Sequence, residues 1–97
     1  MGWTIILEDE NGLAIRTLPK EFDYNELDHL DCDSFMLLKY IDFYGDTTFN
    51  SLQLNNLQND FEKLTALSKQ KDVIEQLLEL IKESQKKVHT YIKFYGD

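Results

Sequence analysis

Tyr40-Ile41-Asp42-Phe43-Tyr44-Gly45-Asp46 recurs with a single change as Tyr91-Ile92-Lys93-Phe94-Tyr95-Gly96-Asp97. Both copies alternate around β-branched and aromatic residues and stop at Gly-Asp, so each reads as a strand running into a turn or an end. Side by side in register, they set Asp42 opposite Lys93, a pairing worth about 0.2–1 kcal/mol on neighbouring strands. Alternation puts Tyr40, Asp42 and Tyr44 on one face and Ile41 and Phe43 on the other, and divides Tyr91 and Tyr95 from Ile92 and Phe94 in the same way.

Working outward, Trp3 to Glu8 alternates, Asn11-Gly12 supplies residues that tolerate positive φ, and Leu13 to Leu18 forms the second arm of a hairpin closed by Pro19. Trp3 is read as a core residue at the start of the first strand rather than a partner anchor. Ser34 to Phe43 is expected as a third, central strand, with Lys39 its misfit, and Thr47 to Leu52 as a fourth. Leu54, Leu57, Phe61, Leu64 and Leu67 recur at helical spacing, and Asn55 with Gln58 has the form of a capping box. After the polar run Ser68-Lys69-Gln70-Lys71, Asp72 with Glu75 offers a second box, and Ile74, Leu77, Leu78, Ile81 and Val88 line one helix face.

The order is then β-β-β-β-α-α-β: an α+β single domain of residues 1–97, with a mainly antiparallel sheet of about five strands and two antiparallel helices packed on one face. Direction counting makes the last strand parallel to the third, so the two heptapeptides are expected as parallel neighbours.

Eighteen acidic against ten basic residues give a formal net charge of −8, which opposes phosphate backbones and anionic lipid. Direct nucleic-acid binding is not expected. The charge itself has two readings, ordinary solubility, which is the commoner, and complementarity to a basic partner. It is concentrated: Glu21, Asp23, Glu26, Asp28, Asp31 and Asp33 follow Lys20 with no Lys or Arg among them. The single Cys32 forms no internal disulfide, and no leader or apolar run of membrane length is read, so a soluble protein of a reducing cytoplasm is expected, with a monomer favoured.

Chemistry is sparse. Asp28-His29-Leu30-Asp31-Cys32-Asp33 lacks the paired ligands of zinc sites, so no metal is expected. His89 reads as a helix-end residue, the four glycines sit at scattered turns without a phosphate loop, and no nucleophile–base–orienter set is evident. Neither catalysis nor a cofactor is expected.

The segment Leu37 to Gln53, with Val88-His89-Thr90-Tyr91-Ile92-Lys93-Phe94-Tyr95-Gly96-Asp97, resembles a family of small bacterial proteins that share Tyr-Ile-Asp-x-Tyr-Gly-Asp-Thr and a C-terminal His-x-Tyr-x-x-Phe-x-Gly-Asp. The chain departs by carrying Phe43 where proline is common. The resemblance implies an immunity protein that neutralises a toxin domain in contact-dependent growth inhibition or a related competition system. Such toxins are often nucleases acting on RNA, tRNA or DNA, with basic clefts. The competing class is a small cytoplasmic protein-binding or regulatory module without a toxin. The candidate surface for binding a basic toxin domain is Asp23, Asp28, Asp31 and Asp33 in the loop with Tyr40, Asp42, Tyr44, Tyr91 and Tyr95.

Overall fold

A computed structural model describes residues 2–96 and, of His29 and Cys32, the backbone alone. The fold is α+β. Strands β1 (Thr4–Asp9), β2 (Ala14–Thr17) and β3 (Asp46–Phe49) precede helices α1 (Leu54–Thr65) and α2 (Lys71–Gln85), and β4 (Thr90–Tyr95) follows. The sheet has the order β2-β1-β4-β3, with every neighbouring pair antiparallel. Its helix-facing side carries Ile5, Leu7, Phe49, Ile92 and Phe94, all buried, against Leu54, Leu57, Phe61, Leu64, Ile74, Leu77 and Ile81. The apolar alternation of the strands and the 3–4 spacing of the helices thus meet in one core, as the expected core residues Leu57, Phe61, Leu64, Leu77 and Ile81 require.

Two stripe residues fall outside it. Leu67 is 57% and Val88 81% exposed, because α1 stops at Thr65 and α2 at Gln85, and a helical pattern has no meaning beyond the helix end.

Among the described residues the sheet has four strands rather than about five, and the missing one is the expected third. Residues 34–43 form no strand; 3₁₀ turns occupy Cys32–Ser34 and Leu38–Tyr40. The cause lies on α1. Asp60, buried within the apolar stripe, accepts the backbone N–H groups of Met36, Leu37 and Leu38 at 2.9, 2.6 and 3.1 Å. Donors that a sheet ladder would have satisfied are taken by a side chain, and Tyr40 and Ile41 donate back to Leu37 and Leu38. The buried residues of the segment, Phe35, Leu38 and Ile41, are spaced by three, which is turn periodicity rather than alternation.

The two heptapeptides are therefore not paired strands. The second forms β4, the first is a turn-rich lead into β3, and β4 runs antiparallel to β3. Asp46 stands opposite Tyr95, and Asp46, not Asp42, is the carboxylate near Lys93, at 4.0 Å. The Gly-Asp ends nevertheless meet. Gly96 N–H donates to Gly45 O at 2.8 Å, and a Cβ on Gly96 would lie 2.4 Å from Phe43 O, so only glycine fits there. Asp97, the last residue of the repeat, lies outside the described residues.

The capping boxes also move. Asn50 Oδ1 accepts from Leu52 N–H, and Gln53 Oε1 from Asn50 N–H, so the reciprocal pair sits five residues before Asn55 and Gln58. Those two accept instead from Gln85 Nε2 of α2, at 3.0 and 3.3 Å. Asp72 is not the cap residue of α2, whose boundary residue is Gln70; it lies inside the first turn. Lys20 donates to Asp72 at 2.9 Å, which holds the Asp72 carboxyl below the usual carboxylate range.

Candidate functional site

Residues 20–45 form one irregular excursion between β2 and β3, held at its near side by Trp3 and by a stack within the excursion. Phe22 exchanges both backbone hydrogen bonds with Trp3. Trp3, fully buried as expected of a core residue, has its ring against Phe22, Tyr24, Phe43 and Phe94 and donates its indole N–H to Asp42 O at 2.9 Å. Tyr24 stacks on Phe43 with centroids 4.4 Å apart, which ties the acidic half of the excursion to the heptapeptide half.

At its far side the excursion is clamped to the α1–α2 connection. Gln70 accepts from Asp23 N–H at 2.7 Å and donates to Asp23 O at 3.0 Å. Glu26 accepts from the Ser68 hydroxyl and from Lys69 N–H. Lys63 reaches Ser34 O at 2.8 Å and lies over the Phe35 ring. Loop acids without a regular element thus acquire a fixed backbone.

The expected partner residues divide into three sets. Asp23 caps the 3₁₀ turn Tyr24–His29 by accepting from Asn25 N–H, and Asp31 accepts from Asp33 N–H, so these two carboxylates have local structural tasks. Asp28 and Asp33 are exposed. None of the six acids between Glu21 and Asp33 forms an ion pair among the described residues. The second set is Tyr40 and Tyr44, 66% and 78% exposed, with Asp42 between them accepting from Tyr44 N–H at 2.8 Å. Tyr91 and Tyr95 make the third, half-buried on the sheet face away from the helices. The Tyr24–Phe43 stack joins the first set to the second; the Gly45–Gly96 bond brings the turn at Asp42–Tyr44 to the end of β4 that carries Tyr95.

Tyr95 is not free to offer its tip. Its hydroxyl donates to Glu8, buried on the same outer face, while the Lys93 ammonium lies 4.7 Å from its ring centroid. The bond to Glu8, followed by burial, raises the phenol above its usual value of about 10. A raised folded-state pKa contributes stability that is present below the unfolded value and is lost as pH rises through the folded one. Wild-type protein should therefore lose stability above about pH 10 more steeply than Tyr95→Phe, read as the urea midpoint against pH. Equal slopes would show that the hydroxyl does not hold Glu8.

Sequence reasoning did not single out Glu8, Glu26, Asp60 or Gln70 as architects of this region. Asp60 left a signal, an acid three positions after Leu57 on the stripe begun by Leu54; the others carried none, since a lone polar residue in a loop or outer strand face is ordinary. His89 stands between α2 and β4 at φ 56°, with Nδ1 3.9 Å from Glu10 Oε2, as a connection residue. The metal question at Asp28–Asp33 turns on the side chains of His29 and Cys32, which lie outside what is described; among the described residues no group of three His, Cys, Asp or Glu side chains converges. No described helix is long and apolar enough to cross a membrane. Comparisons with protein-family models, curated proteins and solved structures find no match.

Proposed function

We propose that the chain is an immunity-type protein that binds and neutralises a toxin domain with a basic surface, a nuclease being the class whose substrate cleft has that charge. The observation that carries this reading is the excursion itself. It presents acids without ion pairs among the described residues beside two exposed tyrosines, on a backbone fixed by Trp3, Gln70 and Asp60. Complementary charge accelerates encounter and is screened by salt, whereas a tyrosine buried on binding holds the complex together. Preorganisation adds to this by reducing the ordering cost at the interface. Within the surface, Asp28, Asp31 and Asp33 serve encounter and Tyr40 and Tyr44 serve retention, with Asp23 and Asp42 holding the turns that display them. Tyr91 and Tyr95 extend the contact along the outer sheet face.

The test is co-expression with the C-terminal domain of the neighbouring gene's product, scored by growth. Rescue is expected. With the purified pair, replacing Asp28, Asp31 and Asp33 by Asn should slow association about tenfold at low salt and flatten its ionic-strength dependence. Tyr44→Ala should mainly speed dissociation. Absence of rescue overturns the immunity reading in favour of a binding module without a toxin. Rescue combined with association insensitive to salt overturns the surface alone.

A further inference from the structure

The clamp between the excursion and the α1–α2 connection borders an open cleft of about 670 Å³, and the two carboxylates in its walls, though hydrogen-bonded within the clamp, are without an ion pair among the described residues. Asp23, Asn25 and Glu26 line one part of it, Leu30 and Leu67 another, and Lys69 and Gln70 complete it. Leu67 lies 57% exposed at the helix end with nothing over it, an apolar surface beside two carboxylates. Neither Asp23 nor Glu26 has an ion-pair partner among the described residues; the donors to each are neutral groups. The volume is within the range of sites that take side chains or small ligands.

We infer that this cleft receives a basic side chain, an arginine above all, from the protein partner. This rests on the immunity reading for the partner's identity, and the cleft chemistry for the residue. A long cationic side chain matches both halves of the wall, since its methylene stem covers apolar surface while the head stays with the acids. Leu30 and Leu67 take the stem, and Asp23 and Glu26 face the guanidinium, whose planar fork suits carboxylates better than an ammonium does. An anion is disfavoured by the two carboxylates, and a purely apolar group would leave them facing it. Rigidity is supplied in advance: Gln70 holds the Asp23 backbone by two hydrogen bonds and Glu26 holds the connection through the Ser68 hydroxyl and Lys69 N–H, so little ordering remains for the occupant to impose. Lys69 is the opposing charge in the cleft, and it tunes the affinity downward.

The probe is the tripeptide acetyl-Gly-Arg-Gly-amide titrated into the full chain at low salt, followed by amide chemical shifts, with citrulline in place of arginine as the neutral isostere. Shifts for the arginine peptide should be largest at Leu30, Leu67, Lys69 and Gln70 and absent for citrulline. Asp23→Asn keeps a capping oxygen on Asn25 while removing the charge, and should weaken binding about two- to fivefold. Lys69→Gln should strengthen it by a similar factor. Both variants leave the clamp intact, so an unchanged spectrum outside the cleft certifies the fold. Shifts distributed over all acid-bearing segments, or Asp23→Asn and Lys69→Gln both without effect, overturn the cleft. Growth rescue with a silent cleft would retain the immunity reading and remove this inference; a responsive cleft without rescue would do the reverse.

Discussion

Phe61→Ala is expected to cost about 3–5 kcal/mol, the range for removing a large aromatic from a packed core. Phe61 is fully buried on α1, its ring 6.0 Å from Phe22 in an edge contact and 6.0 Å from Phe94 in a stack. One side chain therefore joins the helix layer, the sheet and the start of the acidic excursion, and the space it leaves is bounded by three elements that cannot all close in. A domain of this size has about 5–15 kcal/mol in total, so the variant should unfold at much lower urea with an unchanged denaturant slope. A midpoint within error of wild type would place the stripe against solvent or a partner instead of the sheet.

Asp60→Ala is the second large effect, about 2–4 kcal/mol, by a different route. Its carboxylate is the acceptor for three successive amides, and without it those donors must find water or remain unsatisfied, at about 1–3 kcal/mol for a buried one. Loss of a costly buried charge offsets part of this. The damage should be local: hydrogen exchange at Met36, Leu37 and Leu38 should accelerate more than exchange in β1 and β4. Asp60→Asn should be intermediate, because Leu37 and Leu38 share Oδ2 and an amide group presents only one accepting oxygen. Since Tyr40 lies two residues beyond Leu38, binding of the proposed partner should weaken in Asp60→Ala beyond what the global stability loss explains. Uniform exchange acceleration across the domain would show that Asp60 supports the fold generally and does not specifically hold the excursion.

Asp60 also marks the boundary between what the chain's local patterns dictate and what they do not. Residues 34–43 alternate well enough to pass for a strand, and the recurrence of 40–46 at 91–97 strengthens that reading. In β4 the pattern is fulfilled: Ile92 and Phe94 enter the core, and neighbours on both sides take the backbone. In the first copy it is not: a carboxylate from α1, more than twenty positions later in the chain, holds the amides of Met36, Leu37 and Leu38 just ahead of it, and the copy begins in a 3₁₀ turn instead of a strand. Near-identical heptapeptides therefore adopt different structures, and β propensity yields to tertiary context.

The sequence by itself determined the α+β class, the hairpin at Asn11-Gly12, the two helices and their buried stripes, and the core placement of Trp3. These follow from periodicity and turn chemistry, which act over a few residues. It also determined that negative charge concentrates between Glu21 and Asp33. Only the tertiary structure decided that the sheet has four described strands, that Asp46 rather than Asp42 approaches Lys93, that the tyrosines fall into an exposed pair and a half-buried pair, and that Asp23 and Glu26 border a cleft. Each of those depends on a hydrogen bond or packing contact between residues far apart in the chain, among them Asp60 with Met36–Leu38, Gln70 with Asp23, and Tyr95 with Glu8. Whether a polar side chain ends in water or on a distant backbone is fixed by the fold's geometry, and no local pattern encodes it.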